Sequence, residues 1–111
     1  MSAFVAINDA TFDQQVIKSS MPVLVEFGAV WCGPCRQMEP VLEQLASEWD
    51  GKVRLAKVDV DESINTTLQF QVMSVPTLIL FVDGQARQRV SGKLPHDRLV
   101  EKFSPFLSSS D

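Results

Sequence analysis

Apolar and polar positions follow two rhythms along this chain, and the rhythm changes at turn-forming residues. Phe4 to Ile7 reads as a short strand closed by Asn8-Asp9. Thr11, with Gln14 three residues on, predicts a capping box at the head of a short helix to Lys18, which Ser19-Ser20-Met21-Pro22 ends. Val23-Leu24-Val25-Glu26-Phe27 is short, β-branched and almost continuously apolar, which predicts a strand covered on both faces with one carboxylate inside it. From Pro34 to Trp49 the apolar positions Met38, Val41, Leu42, Leu45 and Trp49 recur at helical spacing, Asp50-Gly51 supplies the stop, and Pro40 predicts a kink. Val53 to Val60 predicts a second buried strand, followed by an acidic turn at Asp59, Asp61 and Glu62 and a short helix from about Ser63 to Phe70. Val75-Pro76-Thr77 opens the run Leu78 to Val82, and Asp83-Gly84 is a hairpin signal into a strand from Ala86 to Ser91, closed by Gly92. A last helix from about His96 to Leu107 sets Leu99, Val100, Phe103 and Leu107 on one stripe, and the tail 108–111 is expected to be loose.

The order β-α-β-α-β-α-β-β-α predicts an α/β domain over residues 1–107, with a central mixed sheet of about five strands flanked by about four helices. The hairpin makes the last two strands antiparallel; the earlier strands, joined through helices, are expected to be parallel where adjacent. A chain of 111 residues fits one domain and buries a real core without disulfide staples. A net charge of −4 with no Lys/Arg run argues against nucleic acid and against an anionic membrane surface as partners. No apolar run approaches the roughly 18–20 residues that cross a bilayer, and Met1-Ser2-Ala3-Phe4 lacks the features of a signal peptide. The expectation is a soluble cytoplasmic monomer.

Chemistry concentrates in Phe27-Gly28-Ala29-Val30-Trp31-Cys32-Gly33-Pro34-Cys35-Arg36, which leaves a buried strand and opens a helix and holds both cysteines of the chain. Helix N-terminal N–H groups and the macrodipole favour a thiolate there, so Cys32 is expected to be an exposed nucleophile. Cys35, about one turn inside, has its N–H engaged by the helix and reads as the buried resolving thiol. Pro34 suits the first turn and stiffens the loop. Two inert buried thiols or half a metal site are the competing readings, as is a cluster bridging two chains. A self-contained zinc site lacks ligands, because the chain has no third cysteine and one distant histidine, His96.

The motif Trp31-Cys32-Gly33-Pro34-Cys35 resembles the active site of the thioredoxin family. The resemblance extends over essentially the whole chain, including Val75-Pro76-Thr77, the Asp83-Gly84 hairpin and Gly92. It implies the thioredoxin fold, no bound cofactor beyond a redox-active Cys32–Cys35 disulfide, and reduction of target-protein disulfides: Cys32 attacks, and Cys35 then releases the mixed disulfide. It further implies a cis bond before Pro76, with the Val75 backbone pairing an extended target segment, and a contact surface formed by Trp31, Gly33, Pro34, Val75, Pro76 and Gly92. The proline between the cysteines places the chain with reductants rather than oxidants.

Glu26 stands where the family usually has a buried aspartate, and its place inside an apolar strand favours burial. It is expected to be the general base for Cys35, with a pKa raised by desolvation. Lys57 matches a family lysine that balances this carboxylate; alternatively its ammonium snorkels to the surface. Gly28 replaces the usual tryptophan and Arg36 the common lysine. With no G-x-G-x-x-G after a strand and no room for a nicotinamide or flavin domain, electrons are expected from a separate thioredoxin reductase, NADPH/flavin or ferredoxin-linked. A scaffold subunit with incidental redox activity, or a more oxidising isomerase, are the alternatives.

Overall fold

A computed structural model describes residues 4–107 of the protein. Strands β1 (Phe4–Ile7), β2 (Val23–Gly28), β3 (Arg54–Asp59), β4 (Thr77–Val82) and β5 (Gln85–Ser91) form one sheet in the order β1-β3-β2-β4-β5. Helices α1 (Gly33–Glu48), α2 (Ile64–Gln69) and α3 (His96–Phe103) flank it, together with a π-helical segment at Asp13–Ile17 and a 3-10 turn at Ser104–Phe106. This is the mixed sheet with covering helices that the element order predicts. The predicted tail at 108–111 lies outside the described residues.

Strand alternation sorts the core into two layers. Leu24 of β2, Leu55 of β3, and Leu78 and Leu80 of β4 pack with Met38, Leu42 and Leu45 of α1 and Leu99 and Phe103 of α3. Val23, Val25, Phe27, Ala56, Val58, Ile79 and Phe81 point the other way, onto Phe12 just before the π-helical segment, Val16 within it and Phe70 after α2. Phe12, Phe70 and Phe81 meet there with ring centroids 5.1–5.5 Å apart. Runs buried at nearly every position are therefore explained by helices on both faces of β2 and β4.

Three local readings change. Thr11 pairs with Asn8, not with Gln14, in the turn ahead of the helix: the Asn8 N–H donates to Thr11 Oγ1 at 3.0 Å and the Thr11 N–H to Asn8 Oδ1 at 3.1 Å. The helical segment itself starts at Asp13 with Phe12 at its N-cap and no side-chain cap, and it closes a wider turn in which the Lys18 N–H reaches the Asp13 carbonyl at 2.9 Å. The last helix stops at Phe103, where Ser104-Pro105-Phe106 tightens into the 3-10 turn. Strand direction differs too. β1 and β2 run parallel to β3 as expected, but β4 is antiparallel to β2 although a helix precedes it. Helix α2 has six residues, about 9 Å, and falls short of a six-residue strand of about 20 Å, so it leaves β4 starting at the edge where β3 ended.

The hairpin forms as predicted, with Asp83 at φ +53° and Gly84 at φ +79°, both in the left-handed region. At Gly84 a Cβ would stand 2.7 Å from the Ile17 carbonyl oxygen. Gly84→Ala is therefore expected to destabilise the protein by about 1–2 kcal/mol in denaturant unfolding, through strain plus displacement of the 13–17 segment. A variant as stable as the parent would refute this.

Where α1 ends, His96 joins it to α3. Its Nε2 lies 2.8 Å from Glu48 Oε1 and its Nδ1 2.9 Å from Asp97 Oδ1. The Glu48 carboxylate, then that of Asp97, raise the His96 pKa above its ordinary 6.5. A raised folded-state pKa contributes stability below the unfolded value that is lost as pH climbs through the folded one. His96→Asn should accordingly cost stability at pH 5.5 and less at pH 8.5; parallel pH profiles of the two proteins would contradict it.

Candidate functional site

Cys32 caps α1. Its backbone is extended (φ −87°, ψ 105°), and its sulfur accepts the Cys35 N–H at 3.1 Å. Gly33 and Pro34 occupy the first turn, where the missing Pro34 N–H costs nothing, and the helix continues through Pro40. Cys32 and Cys35 form a disulfide with their Cα atoms 5.3 Å apart. The Cys35 N–H, expected to be taken by the helix, thus serves the Cys32 sulfur, a charge-favouring donor at the positive end of the helix dipole.

The predicted contrast between an exposed Cys32 and a buried Cys35 is absent in this disulfide form. Cys32 is 3% exposed and Cys35 6%. The bond ties both sulfurs into one capped turn, and the surface above is carried by neighbours: Trp31 at 66% exposure, with Pro34 exposed and Gly33 half-buried. Trp31 is therefore not core. Its indole Nε1 donates to Asp61 Oδ2 at 2.8 Å, which fixes the ring over the acidic turn before α2. Nothing in sequence spacing singles out Asp61 for this, because the bond spans thirty residues.

The Val75–Pro76 bond is cis, as the resemblance implies. Thr77 pairs with Phe27 at the end of β2, so Pro76 lies at the sheet edge where the cysteine loop begins. Pro76 itself is buried and Val75 half-buried; the Pro76 carbonyl accepts the Gly92 N–H at 2.8 Å, and Gly92 is exposed. Among the described residues the Val75 backbone groups have no hydrogen-bond partner.

Beneath the disulfide the α1-facing side of the sheet turns polar. Alternation puts Glu26 and Gly28 of β2 on that side with Leu24, and register sets Glu26 beside Lys57 of β3. Glu26 is 2% exposed, and its Oε2 has no hydrogen-bond partner. Desolvation pushes its pKa up to about 7, opposed by the charge of Lys57 and assisted by that of Glu39. Lys57 stands beside Glu26 in the register and its charge acts on that carboxylate, while its Nζ pairs with Glu39 Oε2 at 2.5 Å. Glu39, one turn beyond Cys35 on α1, was not singled out by the sequence because its partner comes from a distant strand. At Gly28 a Cβ would stand 3.1 Å from Cys35 Sγ and 3.9 Å from the Glu26 carboxyl carbon, so only a hydrogen-sized group fits easily between them. Arg36, the other departure, donates from Nη1 to the Val30 carbonyl at 2.5 Å and braces the loop. A cavity of about 430 Å³ opens here, reaching Glu26, Gly28, Cys35, Glu39 and Lys57.

Among the described residues no group of three or more His, Cys, Asp or Glu side chains could hold a metal ion, and no helix is long and apolar enough to cross a membrane. The geometry supports thiol–disulfide exchange: a capped, helix-polarised sulfur, a partner sulfur bonded to it, and a buried carboxylate on the partner's side.

Comparison with known proteins agrees. The thioredoxin family model matches residues 3–104. The chain is 42% identical to thioredoxin 1 of Synechococcus elongatus over 107 residues, covering 96% of this chain and 100% of that one. It is 48% identical to a thioredoxin of Staphylococcus aureus over 105 residues, covering 95% and 99%. With the chloroplastic M-type thioredoxin of Pisum sativum it shares 41% identity over 101 residues, 91% of this chain and 59% of that protein.

Proposed function

This chain belongs to the thioredoxin family and is a thiol–disulfide oxidoreductase, and from that premise we propose that it is a general reductant of protein disulfides with Cys32 as nucleophile and Cys35 as resolving thiol. The observation that carries the assignment of roles is the cap: only Cys32 Sγ receives a backbone N–H at the start of α1. In the reduced pair the Cys32 thiolate attacks a target sulfur, and the Cys35 thiolate then attacks Cys32, releasing the reduced target and restoring the disulfide.

Glu26 takes the proton from Cys35 in that second step. A carboxyl with a pKa near 7 is suited to exchange a proton with a thiol at neutral pH, and burial supplies the shift. Lys57, held by Glu39, limits how far the pKa rises. The unpartnered Val75 backbone pairs with an extended target segment by strand addition, while Trp31, Gly33, Pro34, Pro76 and Gly92 flank it; such main-chain pairing gives affinity with little sequence selectivity. The family membership implies disulfide-bearing targets and a thioredoxin reductase; we take the donor to be a flavin or ferredoxin-linked enzyme and the chain to act as a monomer in the cytoplasm.

The reduction potential tests direction. A reductant should equilibrate near the value of about −270 mV known for thioredoxin, which is taken over from the family. A value near the roughly −120 mV of strong oxidants, measured against glutathione buffers, would reverse the assignment.

A further inference from the structure

Met73 is 92% exposed, more than any other large apolar side chain among the described residues. The backbone beneath it is held on both sides. Before it, the Val72 N–H donates to the Thr67 carbonyl at 3.0 Å, and the Val72 side chain packs on the core layer of Phe12 and Phe81. After it, Thr77 Oγ1 donates to the Ser74 carbonyl at 2.7 Å. A fixed segment thus holds an apolar side chain out in water, where it adds nothing to the core. Chain length sets its place: Met73 lies two residues before Val75, at most about 7 Å of backbone, so it borders the unpartnered Val75 groups and the cis bond to Pro76.

Two properties of a thioether matter at that place. The first is adaptability. Trp31, exposed on the cysteine loop, is pinned by its bond to Asp61, whereas a methionine turns about three side-chain bonds and presents a polarisable sulfur to partners of different shape. The second is reactivity. Cys32 and Cys35 are bonded to each other, Met38 is fully buried and Met21 half-buried, so in the disulfide form the Met73 sulfur is, among the described residues, the one most open to an oxidant.

We propose that Met73 is a peroxide-sensitive docking residue: as a thioether it packs on the target segment that adds to Val75, and as a sulfoxide it no longer does. The occupant rests on the strand addition assigned to Val75 above. In the oxidation, a lone pair on Met73 Sδ attacks one oxygen of a hydroperoxide, the O–O bond breaks, and that oxygen stays on sulfur while the remainder leaves as an alcohol, or as water from hydrogen peroxide. Sulfur loses two electrons and the peroxide gains two. The product is polar and chiral, and covering it with an apolar target side chain strands the new oxygen without a hydrogen-bond donor. The cysteines take no part, so the exchange chemistry at Cys32 is retained.

The test treats the disulfide form with hydrogen peroxide, removes the oxidant, reduces the cysteine pair with dithiothreitol, and measures single-turnover reduction of two probes. Insulin is a disulfide-linked protein; hydroxyethyl disulfide offers no segment for strand addition. Peptide mapping should find Met73 oxidised before Met21 and Met38. The second-order rate on insulin should fall about tenfold, equivalent to about 1.4 kcal/mol of lost apolar contact, while the rate on hydroxyethyl disulfide holds. Met73→Leu has no thioether at this place, so peroxide should leave its insulin rate at that variant's own untreated value. Met73→Gln, polar without oxidation, should be slow on insulin before any peroxide is added. Oxidation of Met21 ahead of Met73, equal losses on the two probes, an unchanged insulin rate in the sulfoxide, or the same peroxide loss in Met73→Leu would each overturn the proposal. The Val75 amide resonance, followed in Cys35→Ser protein joined through Cys32 to a cysteine-containing peptide, separates the two readings. A resonance unmoved from its position in the free protein would sink strand addition and the occupant named here; a moved resonance with an unchanged insulin rate in the sulfoxide would sink the role of Met73 alone.

Discussion

A Cys35→Ser variant is expected to lose more than about a hundredfold of its multiple-turnover activity on a protein disulfide and to accumulate as mixed disulfides through Cys32. The chain has two cysteines, so no other internal thiol resolves an adduct on Cys32, and release then waits for an external thiol in place of a neighbour one helical turn away. The substitution leaves the Cys35 backbone N–H in place. Cys32 therefore keeps the donor that favours its thiolate, and the first attack should proceed at close to the parent rate. Stopped-flow measurement of the first step and non-reducing mass spectrometry of the product separate the two stages. Ordinary turnover by the variant, or an absence of trapped target with Cys32 reduced, would remove the assigned roles.

Glu26→Gln should have opposite effects on stability and on rate. The folded-state pKa of Glu26 is raised to about 7 from an ordinary 4.5, so the folded protein holds a proton that the unfolded chain has released. Stability contributed by the neutral carboxyl is complete below about pH 4.5, declines as pH rises and is gone above about pH 7. The neutral isostere escapes that loss. At pH 8 the variant should be more stable by about 3–4 kcal/mol, converting the shift at about 1.4 kcal/mol per unit, and at pH 4 the difference should close. Release of the mixed disulfide should slow by about a hundredfold and lose the inflection near pH 7 that Glu26 gives the parent. Unfolding at the two pH values tests the burial, and single-turnover release across pH tests the role. A stability difference independent of pH would dispose of the first, an unchanged release profile of the second.

The elements of the site were legible to different depths. Cys32 and Cys35 declare themselves because a cysteine pair at the junction of an apolar run and a helical pattern carries its chemistry within ten residues. Glu26 was legible as buried for the same local reason, a carboxylate inside Val23 to Phe27. Its surroundings were not. Glu39 reaches Lys57 only because α1 crosses over β3, and Asp61 reaches Trp31 only because the turn after β3 comes beside the cysteine loop. The antiparallel entry of β4 was missed because strand order depends on how far α2 carries the chain, a length that hydrophobic periodicity does not measure to within a turn.

By itself the sequence determined what periodicity and local chemistry encode: an α/β domain, strands covered on both faces, a left-handed Asp83-Gly84 turn, and two sulfurs at a helix start. Tertiary structure alone decided which group faces which. Side chains on alternate positions of β2 and β3 meet one helix, and that meeting leaves Glu26 without a hydrogen-bond partner, gives Lys57 to Glu39 and opens the space beside Cys35. Backbone periods act over a few residues, whereas desolvation and charge pairing depend on atoms brought together from strands and helices far apart in the chain.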